Sequence, residues 1–246
     1  MRSACAWALP SLFLTSAALG PAEAAEPGGT TLNYAVEWRL IRAGSAKLAM
    51  PASGPVSLTL ESVGLVSRLY KVDDRYTASY DAGLCATAAT MTSSEGKRRR
   101  ETKVTYDRER KKASYLEKDL VKGATVRVDE IDIPACVHDI VGGLLRLRSM
   151  KMDLGQSSQI PMSDGKKSAL VRVEAQAREE LKTAAGSFKT VRYEAFLFGG
   201  VIYQRPARVF VWISDDPRRL PVQIRVRLQL AIGTITLSLE KEDHSR

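Results

Sequence analysis

The chain has 246 residues, three cysteines, two histidines and a formal charge of +9. Beyond its first two dozen residues no stretch approaches the roughly 18 consecutive apolar residues that a membrane-spanning helix needs, and no solenoid-type repeat or low-complexity run divides it. Two histidines leave little imidazole for metal binding or acid–base chemistry near neutrality.

Met1–Ala24 reads as a secretory leader. Arg2 precedes an apolar run around Ala4–Leu19, and Ala22-Glu23-Ala24 has the small-x-small pattern of a cleavage site. The run is too short for an anchor and is interrupted by Pro10 and Gly20. Cleavage after Ala24 leaves residues 25–246 as a single β-rich domain in an exported compartment, a periplasm. The charge does not change, because Arg2 and Glu23 leave together. Cys5 leaves too, so Cys85 and Cys136 remain. In an oxidising compartment they are most simply one disulfide, which the chain-entropy model values at about 4 kcal/mol for a loop of about 50 residues. Two buried free thiols or thiol chemistry are the alternatives, but the sequence has no C-x-x-C and too few soft ligands for a metal.

Thr31–Arg39 alternates as a first strand, and Ala43-Gly44-Ser45 is expected to turn it into Ala46–Met50. Pro51–Pro55 breaks the pattern before Val56–Glu61. The spacing of Val63, Val66 and Tyr70, with Leu65 and Leu69, predicts a short helix capped by Ser62. Arg75–Asp81 and Cys85–Ser93 return to strand. A highly charged hairpin follows, with arms Gly96–Tyr106 and Lys111–Glu117 and a turn at Asp107–Arg110. Asp132–Ala135 leads into a second helix, Val137–Ser149, whose Ile140, Val141, Leu144, Leu145 and Leu147 make a wide apolar stripe. Gly142-Gly143 in that helix implies close packing against a neighbour.

Gln156–Met162, Ser168–Leu181 and Thr190–Leu197 are the next strands, with turns at Ser163–Lys166 and Ala185-Gly186. In Val222–Leu230 the apolar positions alternate with Gln223, Arg225, Arg227 and Gln229, the two-residue period of a half-buried strand. Asp215-Asp216-Pro217 supplies turn chemistry between Val209–Ile213 and that strand, and Gly233 permits the reversal into Thr234–Leu239. The sum is a mainly β chain of about ten strands. Its predicted form is a curved antiparallel sheet or half-barrel with two short helices packed on the concave side.

The strings Trp212–Asp216 (W-I-S-D-D), Arg219–Val222 (R-L-P-V) and Ile232–Thr236 (I-G-T-I-T) resemble the DUF3108 family of exported bacterial proteins. Tyr34–Arg39 with Ala43-Gly44, Pro134–Arg148 and Arg178–Lys189 sit in the order that family shows. The resemblance implies a β-rich envelope domain; the family has no established activity or catalytic residues to carry over. At the level of fold alone the pattern is also similar to half-barrel carriers of the lipoprotein-sorting type.

No G-x-S-x-G, H-E-x-x-H, P-loop or dinucleotide fingerprint occurs, so no catalytic residue, metal ligand or cofactor is assigned. His138-Asp139 suits the start of a helix better than a general base, and His244 lies in the terminal tail. Asp73-Asp74, Glu179-Glu180 and Asp215-Asp216 are consecutive pairs whose members point to opposite faces of a strand, unlike the facing carboxylates of a glycosidase. Lys97-Arg98-Arg99-Arg100 is a basic run. It reads first as a solvated hairpin whose Glu101, Asp107 and Glu109 offset the cations; the alternative in an exported protein is contact with a polyanion such as an anionic membrane surface, not nucleic acid. Trp212, Phe196, Phe198, Phe210 and Tyr203 fit either sheet core or a cavity lining.

A sheet closed by a greasy helix leaves an acyl-sized space. The expected apolar site is Ile140, Leu144 and Leu147 of the helix facing Trp212, Ile224, Val226 and Leu228. The leading expectation is therefore non-enzymatic binding of a hydrophobic or amphipathic envelope molecule, such as a lipid. A protein-interaction or scaffolding module of envelope assembly is the alternative, and a hydrolase of unrecognised type is third.

Overall fold

Alternation of inward apolar and outward polar side chains carries the chain through fourteen strands among the described residues. The computed structural model describes residues 28–197, 207–228 and 233–244; the predicted leader lies outside them. In the first half come β1 (Thr30–Trp38), β2 (Ile41–Met50), β3 (Val56–Ser62), α1 (Gly64–Leu69), β4 (Val72–Tyr80), β5 (Ala86–Glu95), β6 (Arg98–Asp107), β7 (Lys112–Asp119) and β8 (Ala124–Asp132). After α2 (Ile140–Ser149) come β9 (Ser157–Ser163), β10 (Ser168–Thr183), β11 (Gly186–Leu197), β12 (Ala207–Ser214), β13 (Pro221–Leu228) and β14 (Thr234–His244).

All fourteen join one sheet in the order β8-β7-β6-β5-β4-β3-β2-β1-β14-β13-β12-β11-β10-β9. Two antiparallel meanders are thus sewn together where β1 pairs with β14, and β8 and β9 are the two edges. The sheet is not closed, and its curvature follows from what α2 touches. Leu147 packs with residues of β9–β12, while Val141 packs with β1, β2, β3 and β13. Strands from both meanders meet one ten-residue helix only if the sheet wraps around it.

The segment leading into α2 spans the gap between the meanders. The Ala86 N–H of β5 donates to the Val137 carbonyl at 2.8 Å, His138 N–H donates to Pro161 O at 2.9 Å, and Ser163 N–H donates to His138 O at 2.9 Å. Cys85, one residue before β5, is bonded to Cys136 across a sequence separation of 51. This is the disulfide expected from the cysteine count, and it staples the bridging segment to the sheet.

Several expectations are corrected. The strands number fourteen, not about ten. Among them is β8, whose side chains are exposed on both faces and so give no one-sided burial signal. The first turn is at Arg39-Leu40, not Ala43–Ser45; β2 begins at Ile41 and absorbs its irregularity as a bulge at Val36/Glu37. α1 does not pack on the concave side: none of its residues is buried, and its N-cap is Val63. Ser62 belongs to β3, where its hydroxyl accepts from Val72 N–H. The second helix begins at Ile140, with Asp139 as its cap. Its glycines do permit close approach, since a Cβ on Gly142 would lie 2.7 Å from the Tyr80 ring.

Replacing Cys85 and Cys136 by serine should lower unfolding free energy by about 2–5 kcal/mol. Denaturant melts of wild type and variant, with and without reductant, check this: reductant should bring the wild type to the variant's midpoint.

Candidate functional site

The inner face of the sheet and the buried face of α2 do not meet everywhere. Between them lies a cavity of about 300 Å³ whose lining is almost wholly apolar. Inward positions of β13 supply Ile224, Val226 and Leu228, those of β12 supply Val209 and Val211, and the helix contributes Ile140, Leu144 and Leu147. Six of the seven residues named from the sequence for an apolar site therefore line one space.

The seventh, Trp212, does not. β12 reads Val-Phe-Val-Trp-Ile, apolar on both faces, so periodicity gives no parity there. Val211 and Ile213 belong to the inner cluster, and Trp212 takes the outer face. There its indole N–H donates to Glu179 Oε2 at 2.7 Å and Arg225 stacks over its ring at 5.0 Å. Phe210 lies on the same outer face beneath Arg208 and Arg227. Glu194, one of the most buried carboxylates, is held there by Arg208 and Gln176. Its hydrogen bond from Arg208 pulls its pKa below the ordinary carboxylate range, against a smaller opposing effect of burial. The layer explains why Trp212 is 3% exposed without facing the cavity. Phe196 lies under Arg172; Phe198 and Tyr203 lie outside the described residues.

A second, wider basin of about 510 Å³ adjoins the first, and Leu58, Ile140 and Met162 line both. Its far wall is polar: Arg98 and Arg100 of β6, Glu117 of β7, and Asp164 and Lys166 of the β9–β10 turn. Strand parity divides the predicted basic run, because Arg98, Arg100, Thr102, Val104 and Tyr106 share the inner face and all line the basin. Lys97 sits in the β5–β6 turn and Arg99 is not among the lining residues. Arg100 pairs with Asp119 at 3.3 Å and lies 3.8 Å from Glu117, yet its Nε and Nη1 are buried without a hydrogen-bond partner among the described residues. Lys166 lies over the Tyr115 ring at 5.1 Å. Burial raises the Tyr115 phenol to about 12, so it stays protonated at neutral pH. The parity of β6 was readable in the sequence; the approach of Lys166 from a distant turn was not.

α2 is fixed at both ends. At its start the Asp139 carboxylate accepts from Gly142 N–H at 2.5 Å, from the Tyr80 hydroxyl at 2.9 Å and from the Tyr76 hydroxyl. His138 meets the Leu84 carbonyl through Nδ1 at 2.8 Å, and burial lowers its pKa. At the end of the helix Arg219 donates to the carbonyls of Arg148 at 3.1 Å and Met150 at 2.6 Å, satisfying groups a helix terminus leaves open. Asp216 performs turn chemistry, accepting from Arg218 N–H at 3.0 Å, and Asp215 pairs with Arg178. Asp215 and Asp216 are thus both engaged within the hairpin and its neighbouring strand. Among the described residues no group of three or more His, Cys, Asp or Glu could hold a metal ion.

Burial pushes the Asp139 carboxyl above its ordinary range, and its three hydrogen bonds offset this only in part. The folded state therefore holds this proton at pH values where the unfolded chain has lost it. The associated stability is full below the unfolded pKa and is lost as pH rises through the raised folded value. The wild-type advantage over Asp139→Asn should therefore shrink as pH is raised from about 4 towards neutrality, as read from urea midpoints across that range.

Comparison with known proteins agrees with this architecture. A family model described as "Protein of unknown function (DUF3108)" matches residues 33–240, whereas no curated protein matches the chain. In fold the chain is similar to a beta-barrel-like protein of the domain of unknown function DUF1849 from Brucella abortus. Identity is 9% and the TM-score 0.59, over 89% of this chain and 98% of that one. A DUF1089 family protein from Pseudomonas aeruginosa aligns over 86% of this chain and 95% of its own at 13% identity, with a TM-score of 0.37. Matched from Asn33 to Glu240, the chain belongs to the DUF3108 family of proteins of unknown function.

Proposed function

We propose that the protein binds, without catalysis, a hydrophobic or amphipathic molecule of the cell envelope between the concave face of its sheet and α2. The observation that carries this reading is the aliphatic cavity that opens into a basin with a polar wall, where Arg98, Arg100 and Lys166 stand among Glu95, Glu117 and Asp164. An empty apolar space forfeits dispersion contacts along its whole lining, and an entering chain recovers about 0.8 kcal/mol per methylene removed from water. The polar end of the same molecule would then reach Arg100, whose Nε and Nη1 make no hydrogen bond among the described residues. The disulfide is compatible with an exported protein, which fits an envelope ligand and the predicted leader.

The scaffolding alternative looks to an exposed sheet edge or to the basic hairpin, and in that hairpin Arg98 pairs with Glu117 and Arg100 with Asp119. For a hydrolase, the phenol lining the cavity is Tyr34, whose hydroxyl donates to the Pro221 carbonyl at 2.9 Å, and Tyr76 and Asp139 of the adjoining basin are engaged with each other at the start of α2.

Val226→Phe projects a ring into the cavity. It should reduce uptake of the fluorescent apolar probe N-phenylnaphthylamine by roughly tenfold or more, while overpacking costs about 1–3 kcal/mol of stability. Native mass spectrometry of gently purified protein should show a bound amphiphile that the variant lacks. Equal probe uptake by both proteins, with no co-purifying lipid, would overturn the proposal.

A further inference from the structure

The connections at the two ends of the β1–β8 half differ in chemistry. At one end lie the β1–β2 turn, the α1 connection, the β5–β6 turn and the β7–β8 turn. The strand registers place them together: Trp38 pairs with Ile41, Gly44 with Ser62, Glu95 with Arg98, and Asp119 with Ala124. Residues 39–40, 63–71, 96–97 and 120–123 contain Arg39, Arg68, Lys71, Lys97 and Lys122 and no acidic residue.

Large apolar side chains project from the same end. Leu40 is 93% exposed, Leu69 79% and Leu65 68%. Trp38, Ile41, Tyr70, Leu120 and Val121 are exposed beside them. At the opposite end of these strands, residues 51–55, 81–85, 108–111 and 133–139 carry Asp81, Glu109 and Asp139 among their cations, and none of the exposed large apolar residues falls there.

The turn at the tip is conformationally strained. Arg39 and Leu40 both have positive φ, 51° and 69°, where a two-residue hairpin normally carries Asn-Gly. A leucine in the left-handed region is unfavourable, and here the strain presents its side chain to solvent instead of burying it.

We propose that this end of the sheet is a docking surface for an anionic lipid bilayer. Leu40, Ile41, Leu65, Leu69 and Leu120 enter the interface, Trp38 lies at headgroup level, and Arg68, Lys71, Lys97 and Lys122 meet lipid phosphates. Apolar anchors on connecting segments that carry five cations and no acid match such a surface on both counts. A protein partner would not require that all four connecting segments lack acids. The surface is separate from the cavity lining, so docking holds whether or not the cavity carries a ligand.

Co-flotation of the purified protein with vesicles tests it. The protein should float with vesicles of phosphatidylglycerol and phosphatidylcholine and not with phosphatidylcholine alone. Leu40→Glu, Leu65→Glu and Leu120→Glu together should lower partitioning by roughly tenfold or more with an unchanged thermal midpoint. Lys71→Glu with Lys97→Glu, which leaves every apolar anchor in place, should also release the protein. Arg110→Glu with Ser53→Glu moves the same change in charge as the triple variant to the opposite end and should leave flotation intact. Absence of flotation, equal flotation on both compositions, or equal loss with the opposite-end variant would overturn the proposal. Probe uptake by the cavity, measured on the same variants, separates failure of docking from failure of ligand binding.

Discussion

Everything inside this molecule depends on the segment between β8 and β9. A fourteen-stranded sheet that does not close has an inner face that must be covered, and one short helix covers it. The helix can do so only because its position is fixed independently of the apolar contacts it makes. The Cys85–Cys136 bond and the main-chain hydrogen bonds of Val137 and His138 pin its approach. Asp139 with Tyr76 and Tyr80 holds its first turn, and Arg219 holds its last carbonyls. Held by its ends, α2 need not collapse onto the sheet along its whole length, and an apolar space survives beside it. An unpinned helix would be free to settle into that space and remove it.

The same arrangement gives the interior a gradient. Beside β9–β14 the walls are aliphatic; towards β6 and β7 they acquire Arg98, Arg100, Glu117 and Lys166. A solvated guanidinium costs little, but one whose Nε and Nη1 are buried without acceptors loses hydration it has not replaced. An anionic headgroup would supply the missing acceptors, as an aliphatic chain would supply the missing dispersion contacts. The two deficits lie side by side in adjoining spaces.

Much of this was legible in the sequence because one-sided strands announce themselves. Val222–Leu228 and Thr234–Leu239 alternate cleanly, and their inward residues are those that meet the helix. Legibility failed where alternation failed. Trp212 sits in a strand that is apolar on both faces, the outer one covered by arginines, so no periodicity could say which way the ring turned. β8 is wet on both faces and reads as loop. α1 has helical spacing but no core to face, so its leucines remain exposed and acquire another use. The basic run was read as one patch although strand parity divides it, and Val104 and Tyr106 on the same strand already carried that signal. The approach of the β9–β10 turn to β6 is tertiary and leaves no local trace.

In the proposed function the space between α2 and the sheet receives an apolar chain with its polar end towards β6. A crystal structure of the protein grown with a terminally brominated long-chain carboxylate tests it directly through the anomalous signal of the halogen. Bromine is expected among Leu144, Val209 and Val226, with the carboxylate directed at Arg100. A cavity filled by side chains, or bromine bound only elsewhere on the molecule, would contradict it.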